Sequence, residues 1–243
     1  MKPYVFGHRG ASAYEIENTI SAFEKAISMG AGIEADVQLT KDNSLICFHD
    51  PFFIIGSKSY VVSKLTLKEI KSIRFADNRK IPLVNEIYET FKDFSDTIRY
   101  SFDIVNKKAG IELLNLSNNF NILNNIEITD RRLLVLSLLR KQNKYSKLVY
   151  TLAENINQIS DKTINLEKVR NLNIDVINVR YKRRIENLFE SIVDNGFKCY
   201  IWGVNTKVNM KKVIEMRYND EIVNAIYTDY PDIILNLIDV YYK

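Results

Sequence analysis

The chain of 243 residues contains little cysteine, histidine, proline and glycine: two Cys, two His, four Pro and eight Gly. Cys47 and Cys199 stand far apart in apolar runs and form no CxxC pair. This spacing excludes a disulfide framework and a cysteine-ligated zinc site. We therefore expect two buried free thiols, which are compatible with a reducing compartment.

Long apolar runs and a dominant charge of one sign are also absent. No stretch approaches the roughly 18 apolar residues of a membrane span, and the N-terminal residues lack the apolar core of a signal peptide. These absences predict a cytoplasmic protein without a transmembrane segment. The 34 basic and 30 acidic residues give a net charge of +4. This mild excess favours an anionic small molecule, and not nucleic acid, as the partner.

Short apolar runs alternate with amphipathic ones along the whole chain. The alternation is typical of β/α units around a parallel sheet. Because no Gly/Ser/Pro-rich linker interrupts it, we predict one domain over residues 1–243. The pattern contains nine candidate strands: Tyr4–Phe6, Ile33–Val37, Leu45–Phe48, Ile98–Ile104, Leu133–Ser137, Leu148–Thr151, Val176–Val179, Cys199–Val204 and Ala225–Thr228.

A tight turn at Lys41–Ser44 reduces these nine strands to the eight of a barrel. The turn joins Ile33–Val37 to Leu45–Phe48, and it is too short for a parallel crossover. The two runs should therefore form a β-hairpin. We predict an α/β fold, a (β/α)8 TIM barrel with a β-hairpin extension after strand 2. The next segment, Pro51–Ser63, shows no regular pattern.

Two carboxylates share one face of the second predicted strand. Glu34 and Asp36 alternate with Ile33, Ala35 and Val37, and residues two apart in a strand point to the same side. Like charges placed side by side inside a barrel repel each other and lose hydration. A divalent cation such as Mg²⁺ or Ca²⁺, which prefers oxygen ligands, would relieve both costs.

The only two histidines, His8 and His49, stand at the ends of predicted strands. A hairpin turn centred on Asp42–Asn43 would place Asp36 opposite His49. Active sites of such barrels form at the carboxyl ends of the strands, where His8 also arrives. Asp103, at the end of a further strand, is a third candidate metal ligand.

The amino-terminal signature of the glycerophosphodiester phosphodiesterases resembles one stretch of this chain: GHRGASAYEIENTISAFEKAISMGAGIEADVQLTKDNSLICFHD. Its ordered parts are HRG, ENT…AF, IE-x-DV-x-x-TKD and HD. Later family motifs resemble IPLVNEIYE, SFDIV, LLVLSLL, WGVN and TDYPD, so that the resemblance covers nearly the whole chain. It implies a barrel of the phosphodiesterase type that hydrolyses glycerophosphodiesters to glycerol 3-phosphate and an alcohol.

The resemblance also implies roles for individual residues. His8 and His49 would be the general acid/base pair. Arg9 would contact the phosphate, and Trp202 would line the glycerol pocket. The ligands of a divalent metal, Mg²⁺ or Ca²⁺, would be Glu34, Asp36 and Asp103.

Departures from the family pattern leave alternatives open. Val105 stands where the family usually has a lysine that is thought to face the phosphate, and Asp103 stands where many members have Glu. One alternative is a lysophospholipase D-like or other phosphodiesterase of the same fold. Another is a catalytically impaired member that binds phosphodiesters. The sequence also leaves open the headgroup, the choice of metal, the order of the histidine roles and the oligomeric state.

Overall fold

A computed structural model of the chain describes residues 2–94 and 97–242. The strands, in chain order, are β1 (Tyr4–Gly7), β2 (Gly32–Leu39), β3 (Leu45–Cys47), β4 (Phe52–Ile55), β5 (Lys58–Val61), β6 (Tyr100–Ile104), β7 (Ile126–Asp130), β8 (Lys147–Thr151), β9 (Val176–Arg180), β10 (Lys198–Trp202), β11 (Arg217–Tyr218), β12 (Glu221–Ile222) and β13 (Ala225–Thr228). The α-helices are α1 (Ile20–Ser28), α2 (Leu67–Ser72), α3 (Val84–Thr90), α4 (Lys107–Asn119), α5 (Leu133–Gln142), α6 (Leu166–Asn171), α7 (Ile185–Asp194), α8 (Lys207–Glu215) and α9 (Pro231–Tyr241). Short 3₁₀ helices span Val62–Lys64 and Lys92–Phe94.

Eight parallel strands close into a barrel, which confirms the predicted fold class. Their order around the barrel is β1, β2, β6, β7, β8, β9, β10 and β13, and β13 pairs with β1 to close it. Inside the barrel, the rings of Phe6 and Tyr227 stack with their centroids 4.9 Å apart. Outside it, fully buried side chains such as Phe23 and Ile33 belong to a large apolar core. This core fixes the strand ends that carry the candidate site.

Neither cysteine forms a disulfide, as predicted: Cys47 and Cys199 are both buried free thiols. Within residues 2–94 and 97–242, no helix combines the length and the apolar character that a membrane crossing requires.

β3 runs antiparallel to the second half of β2 and forms a hairpin with it. β1 pairs with Gly32 and Ile33 at the beginning of β2, and β3 pairs with Val37–Leu39 further along. Both lie on the edge of β2 opposite β6. The hairpin therefore stands beyond the end of β1, at the carboxyl mouth of the barrel.

The predicted register of this hairpin was wrong by one residue. Asp36 lies opposite Phe48, whose N–H donates to the Asp36 carbonyl at 3.0 Å, and not opposite His49. The loop contains three residues, 41–43, in place of the assumed two-residue turn. Asn43 closes the loop with a left-handed φ of 64°, a conformation that asparagine tolerates better than most residues.

The fourth barrel strand was also predicted wrongly. Leu133–Ser137 belongs to helix α5, and the strand is β7, Ile126–Asp130. Leu134 is 68% exposed whereas Leu136 is fully buried, as expected for a helix with one face on the barrel. The strand was missed because two of its five residues are acids, and both are buried in spite of their charge.

The segment Pro51–Ser63, predicted to be irregular, contains a second hairpin built from β4 and β5. Phe53 stacks on Tyr60 across this hairpin with ring centroids 5.5 Å apart. Phe53 also meets Phe48 edge to face at 5.8 Å. These contacts anchor the hairpin beside His49, which directly follows Phe48 in the chain.

Candidate active site

All seven residues predicted for the site line one pocket at the carboxyl mouth of the barrel. They are His8, Arg9, Glu34, Asp36, His49, Asp103 and Trp202. The sequence motifs did not single out the other five residues of the wall, which are Ser101, Thr129, Thr151, Asn178 and Tyr227. A larger cavity of about 560 Å³ lies between α1 and α2 but contains none of the seven. The titratable residues that line the smaller pocket, and not the volume of the larger cavity, identify the candidate site.

The HRG turn brings His8 and Arg9 to the mouth directly after β1. Arg9 and Gly10 both adopt left-handed backbone conformations, with φ of 56° and 83°. A Cβ on Gly10 would lie 2.5 Å from the backbone of Ala22 in α1, so glycine is required for this close approach. The turn directs the N–H of Arg9 at the Glu34 carboxylate, at 2.7 Å.

His8 is held by a carboxylate from the other end of the chain. Its Nδ1 lies 2.8 Å from Oδ1 of Asp229, and the Asn205 amide donates to the second oxygen of Asp229. Burial lowers the pKa of His8, but the hydrogen bond to Asp229 and the charge of Glu34 outweigh it, and the pKa is raised overall. Asn205 and Asp229 stand in the motifs WGVN and TDYPD, but the sequence reasoning gave neither residue a role.

His49 has a similar partner in a more open position. Its Nδ1 lies 2.8 Å from Oδ1 of Asp50. Its side chain is 45% exposed, compared with 24% for His8. Each histidine contacts a carboxylate through Nδ1, which leaves Nε2 as the nitrogen that a substrate can meet.

Three carboxylates share the floor of the pocket. Asp36 and Asp103 are direct neighbours in the β2–β6 register, and Glu34 precedes Asp36 by two residues on the same face. Burial and the neighbouring Asp36 raise the pKa of Glu34 to about 7, although His8 and Arg9 act in the opposite direction. Loss of hydration in the pocket, and then the charges of Asp36 and Glu34, also raise the pKa of Asp103. The floor therefore has more negative charge than its surroundings neutralise.

Arg9 and Asn18 make the main compensating contacts to these acids. The Arg9 guanidinium donates to Glu17 at 2.8 Å, and its Nε lies 3.1 Å from Oδ2 of Asp36. The Asn18 amide donates to the same Asp36 oxygen at 2.9 Å. Among the described residues, no three His, Cys, Asp or Glu side chains are already gathered as metal ligands. The donor set itself, three carboxylates near one guanidinium, has the chemistry of a site for a hard divalent cation.

An arginine side chain, that of Arg132, contacts Val105, the position where the family usually has a lysine. Val105 is 40% exposed, and its carbonyl accepts a hydrogen bond from Arg132 at 2.9 Å. Arg132 is held by the buried Asp130 carboxylate, and its positive charge acts on Asp103. It lines an adjoining cavity that shares Asp103 with the candidate site. A guanidinium is therefore present on this side of the pocket, and its charge is paired with Asp130.

The opposite wall combines an aromatic ring with a polar side chain. Trp202 ends β10 partly buried, with the Arg180 guanidinium 5.2 Å from its ring centroid. The Asn178 amide donates to the Thr151 hydroxyl at 3.2 Å, while Asn178 Oδ1 is buried without a hydrogen-bond partner among the described residues. A buried acceptor without a donor is costly, so a ligand hydroxyl that donates to it would be favoured.

Comparisons with known proteins agree over almost the whole chain. The sequence profile of the glycerophosphoryl diester phosphodiesterase family matches residues 8–233. A glycerophosphodiester phosphodiesterase of Caldanaerobacter subterraneus is 31% identical over 252 residues, which cover 98% of each chain. The crystal structure of a glycerophosphodiester phosphodiesterase from Thermotoga maritima superposes with a TM-score of 0.76 at 26% identity, covering 98% of this chain and 99% of that chain. An Oleispira antarctica phosphodiesterase, solved with the product sn-glycerol-3-phosphate, superposes with a TM-score of 0.78 at 18% identity, covering 98% of this chain and 97% of the other. The chain therefore belongs to the glycerophosphoryl diester phosphodiesterase family.

Proposed function

We propose that this protein hydrolyses glycerophosphodiesters to glycerol 3-phosphate and an alcohol. The observation that carries the proposal is the convergence of two carboxylate-bound histidines and three carboxylates in one pocket. The name of the Caldanaerobacter relative supports the same reaction. The molecule bound to the Oleispira phosphodiesterase is the product that this reaction would give.

We assign the binding of a divalent cation, Mg²⁺ or Ca²⁺, to Glu34, Asp36 and Asp103. The raised pKa values of Glu34 and Asp103 support this assignment, because loss of hydration and then the neighbouring carboxylates disfavour the charged forms, and a bound cation would relieve both. When bound, such a cation would neutralise the non-bridging oxygens of a phosphodiester. Arg9 would provide a second positive charge for the same oxygens.

We assign proton transfer to the two histidines. One imidazole would take the proton from the attacking nucleophile, and the other would protonate the departing alkoxide. Imidazole suits both tasks because its pKa lies near working pH. Asp229 would hold His8 in orientation through Nδ1 and favour its charged form, and Asp50 would orient His49 through the same nitrogen.

The glycerol moiety would bind against Trp202 and Asn178. The indole ring offers apolar area to the glycerol carbons, and the buried Oδ1 of Asn178 offers an acceptor for a glycerol hydroxyl. Of the alternatives, a catalytically impaired protein is disfavoured by the presence of both histidines and all three carboxylates in the pocket. A lysophospholipase D-like activity would use the same catalytic groups.

The test is the release of glycerol 3-phosphate from glycerophosphocholine and glycerophosphoethanolamine by chelator-stripped protein. The reaction is followed without metal, with Mg²⁺ and with Ca²⁺. We expect release only with metal, and none from a matched His49→Ala protein. Folded wild-type protein that releases no glycerol 3-phosphate under any of these conditions would contradict the proposal.

A further inference from the structure

The hairpin that follows His49 has one buried face and one exposed apolar face. Phe52 lies opposite Val61 in the β4–β5 register, and Ile54, two residues after Phe52, shares their side of the hairpin. These three side chains are 47%, 37% and 65% exposed. The other side is packed, with Phe53 buried in a local apolar cluster.

This exposed face is not explained by the packing of the fold. Single exposed apolar residues are normal on a protein surface, but clustered ones mark contact with another molecule or with a lipid. Here three of them stand on one side of a hairpin whose strands have only four residues each. We refer to Phe52, Ile54 and Val61 as the hairpin face.

The segment that contains the hairpin face, residues 51–80, is strongly basic. Residues 51–80 contain seven basic residues, Lys58, Lys64, Lys68, Lys71, Arg74, Arg79 and Lys80, and two acidic ones, Glu69 and Asp77. Their net charge of +5 exceeds the +4 of the whole chain. Lys64, Lys68, Arg74 and Lys80 are exposed, and in the described part of the chain none of them pairs with an acid. The partner of this surface should therefore be anionic as well as apolar.

The hairpin face also lies close to the candidate active site. Phe52 follows His49 by three residues, so their Cα atoms are at most about 11 Å apart. The ring of Phe48, which precedes His49, contacts Phe53 on the buried side of the hairpin. A surface bound to the hairpin face would therefore lie beside the mouth of the pocket.

We propose that the hairpin face, together with the exposed basic residues Lys64, Lys68, Arg74 and Lys80, forms a docking surface for a lipid bilayer that contains anionic phospholipid. The apolar side chains would enter the boundary between headgroups and acyl chains, and the lysines and arginines would attract the anionic headgroups. Neither signal alone anchors a protein stably, whereas an apolar anchor combined with a basic patch does. Given the proposed function, docking would bring phosphodiesters of the membrane surface to His49.

The experiment measures the sedimentation of the full chain with vesicles of phosphatidylcholine, with and without one part in three of phosphatidylglycerol. We expect at least about tenfold tighter binding to the anionic vesicles, because each basic residue near such a surface contributes roughly a fivefold increase in affinity. Adding 0.5 M NaCl should remove most of this difference, since salt screens exposed charges.

Two variants distinguish vesicle binding through the hairpin face from non-specific binding through any exposed apolar side chain. Phe52→Ser combined with Ile54→Ser should weaken binding by about tenfold or more, since each buried apolar side chain contributes on that scale. The matched control is Leu134→Ser, which removes an apolar side chain that is 68% exposed on α5, and it should bind like wild type. Wild-type protein that does not bind anionic vesicles, or a hairpin variant that binds as tightly as the control, would overturn the proposal. A hairpin face that instead mediates pairing of two copies, seen as a mass change in solution without vesicle binding, would overturn it too.

A soluble substrate distinguishes this proposal from the proposed function. Hydrolysis of glycerophosphocholine should be unchanged in the hairpin variant, because Phe52 and Ile54 lie outside the catalytic pocket. If wild-type protein binds vesicles as expected but hydrolyses no glycerophosphodiester, the docking surface is supported and the proposed function fails. Hydrolysis without vesicle binding would support the proposed function and overturn the docking surface.

Discussion

The two ends of the barrel interior contain acids in opposite surroundings. At the amino end, Glu127 on β7 is 1% exposed. Nε of Arg99 donates to it at 2.7 Å and Nζ of Lys147 at 2.9 Å. The Arg99 guanidinium also lies 4.3 Å from the ring centroid of Tyr4. Here two cations contact one carboxylate through Oε1, while its Oε2 is buried without a hydrogen-bond partner among the described residues.

At the carboxyl end the ratio of cations to carboxylates is reversed. Glu34, Asp36 and Asp103 share a floor on which Arg9 is the principal cation, and the pKa of Glu34 rises to about 7 as a result of burial and Asp36. Three acids placed together with one principal cation reduce stability, because they repel one another and lose hydration. The difference agrees with the proposal that Glu34, Asp36 and Asp103 bind a ligand, whereas Glu127 serves the fold.

The largest expected effect is on turnover at the carboxyl end. His8→Ala removes a general acid or base from the mouth, and a positioned group of this kind contributes about 10²–10⁴-fold. We expect a loss of that size in glycerol 3-phosphate release, with an unchanged circular dichroism spectrum. A rate within tenfold of wild type would mean that His8 takes no part in the chemistry.

The same substitution at the two ends should have opposite effects on stability. Glu127→Gln removes the charge that pairs with Arg99 and Lys147, and because these cations are partly exposed we expect a loss of about 1.5–3 kcal/mol, that of a hydrogen bond to a charged group. Glu34→Gln removes an uncompensated charge, and we expect metal-free protein at pH 8 to become more stable. Urea unfolding of both variants measures this, and equal losses at the two ends would show that the acids do not differ in compensation.

The pH dependence of stability should show where the charge is uncompensated. A raised pKa in the folded state means that stability is present below the unfolded pKa and is lost as pH rises through the folded value. For Glu34 the pKa rises from 4.5 to about 7, which corresponds to about 3 kcal/mol at 1.36 kcal/mol per unit. The raised pKa of His8 acts with the same sign.

Between pH 5 and pH 8, metal-free wild type should therefore lose up to about 3 kcal/mol relative to Glu34→Gln. Parallel stability curves for the two proteins would contradict this assignment.

The smallest expected effect concerns the glycerol side of the mouth. Asn178→Ala removes the buried acceptor and the contact with Thr151. A single hydrogen bond contributes about 0.5–1.5 kcal/mol, so we expect KM to rise by up to about tenfold with kcat unchanged. A change in kcat alone would place Asn178 at the reacting atoms and not on the glycerol side.

The sequence predicted the barrel and the meeting of the seven candidate residues at its mouth, because strand ends and motif order are local signals. It failed at β7, where Glu127 is buried against two cations distant in the sequence, Arg99 and Lys147, and Asp130 is buried against Arg132, which follows it by two residues. A prediction from periodicity treats charged residues as exposed, whereas ion pairs allow Glu127 and Asp130 to be buried in this strand. The helical run from Leu133 was then mistaken for the missing strand.

The site partners that were missed have the same physical origin. Asp229 meets His8 across 221 residues, and Asn18 meets Asp36 across 18. Spacing in the sequence does not encode such contacts: closure of the barrel between β13 and β1 creates the first, and the packing of the segment before α1 on β2 creates the second. The register of the β2–β3 hairpin was predicted wrongly by one residue, because the left-handed φ of Asn43 allows a loop of three residues as readily as one of two.

The metal site is tested most directly by the melting temperature of chelator-stripped protein at pH 8, measured with and without Mg²⁺ or Ca²⁺. A ligand that binds only the folded state stabilises it by mass action, by about 2.7 kcal/mol at one hundred times its dissociation constant. We predict a rise of several degrees for wild type and for the surface control Leu134→Ser, and little or none for Glu34→Gln. No rise in wild type, or an equal rise in Glu34→Gln, would contradict the assignment of the uncompensated carboxylates at the mouth as metal ligands.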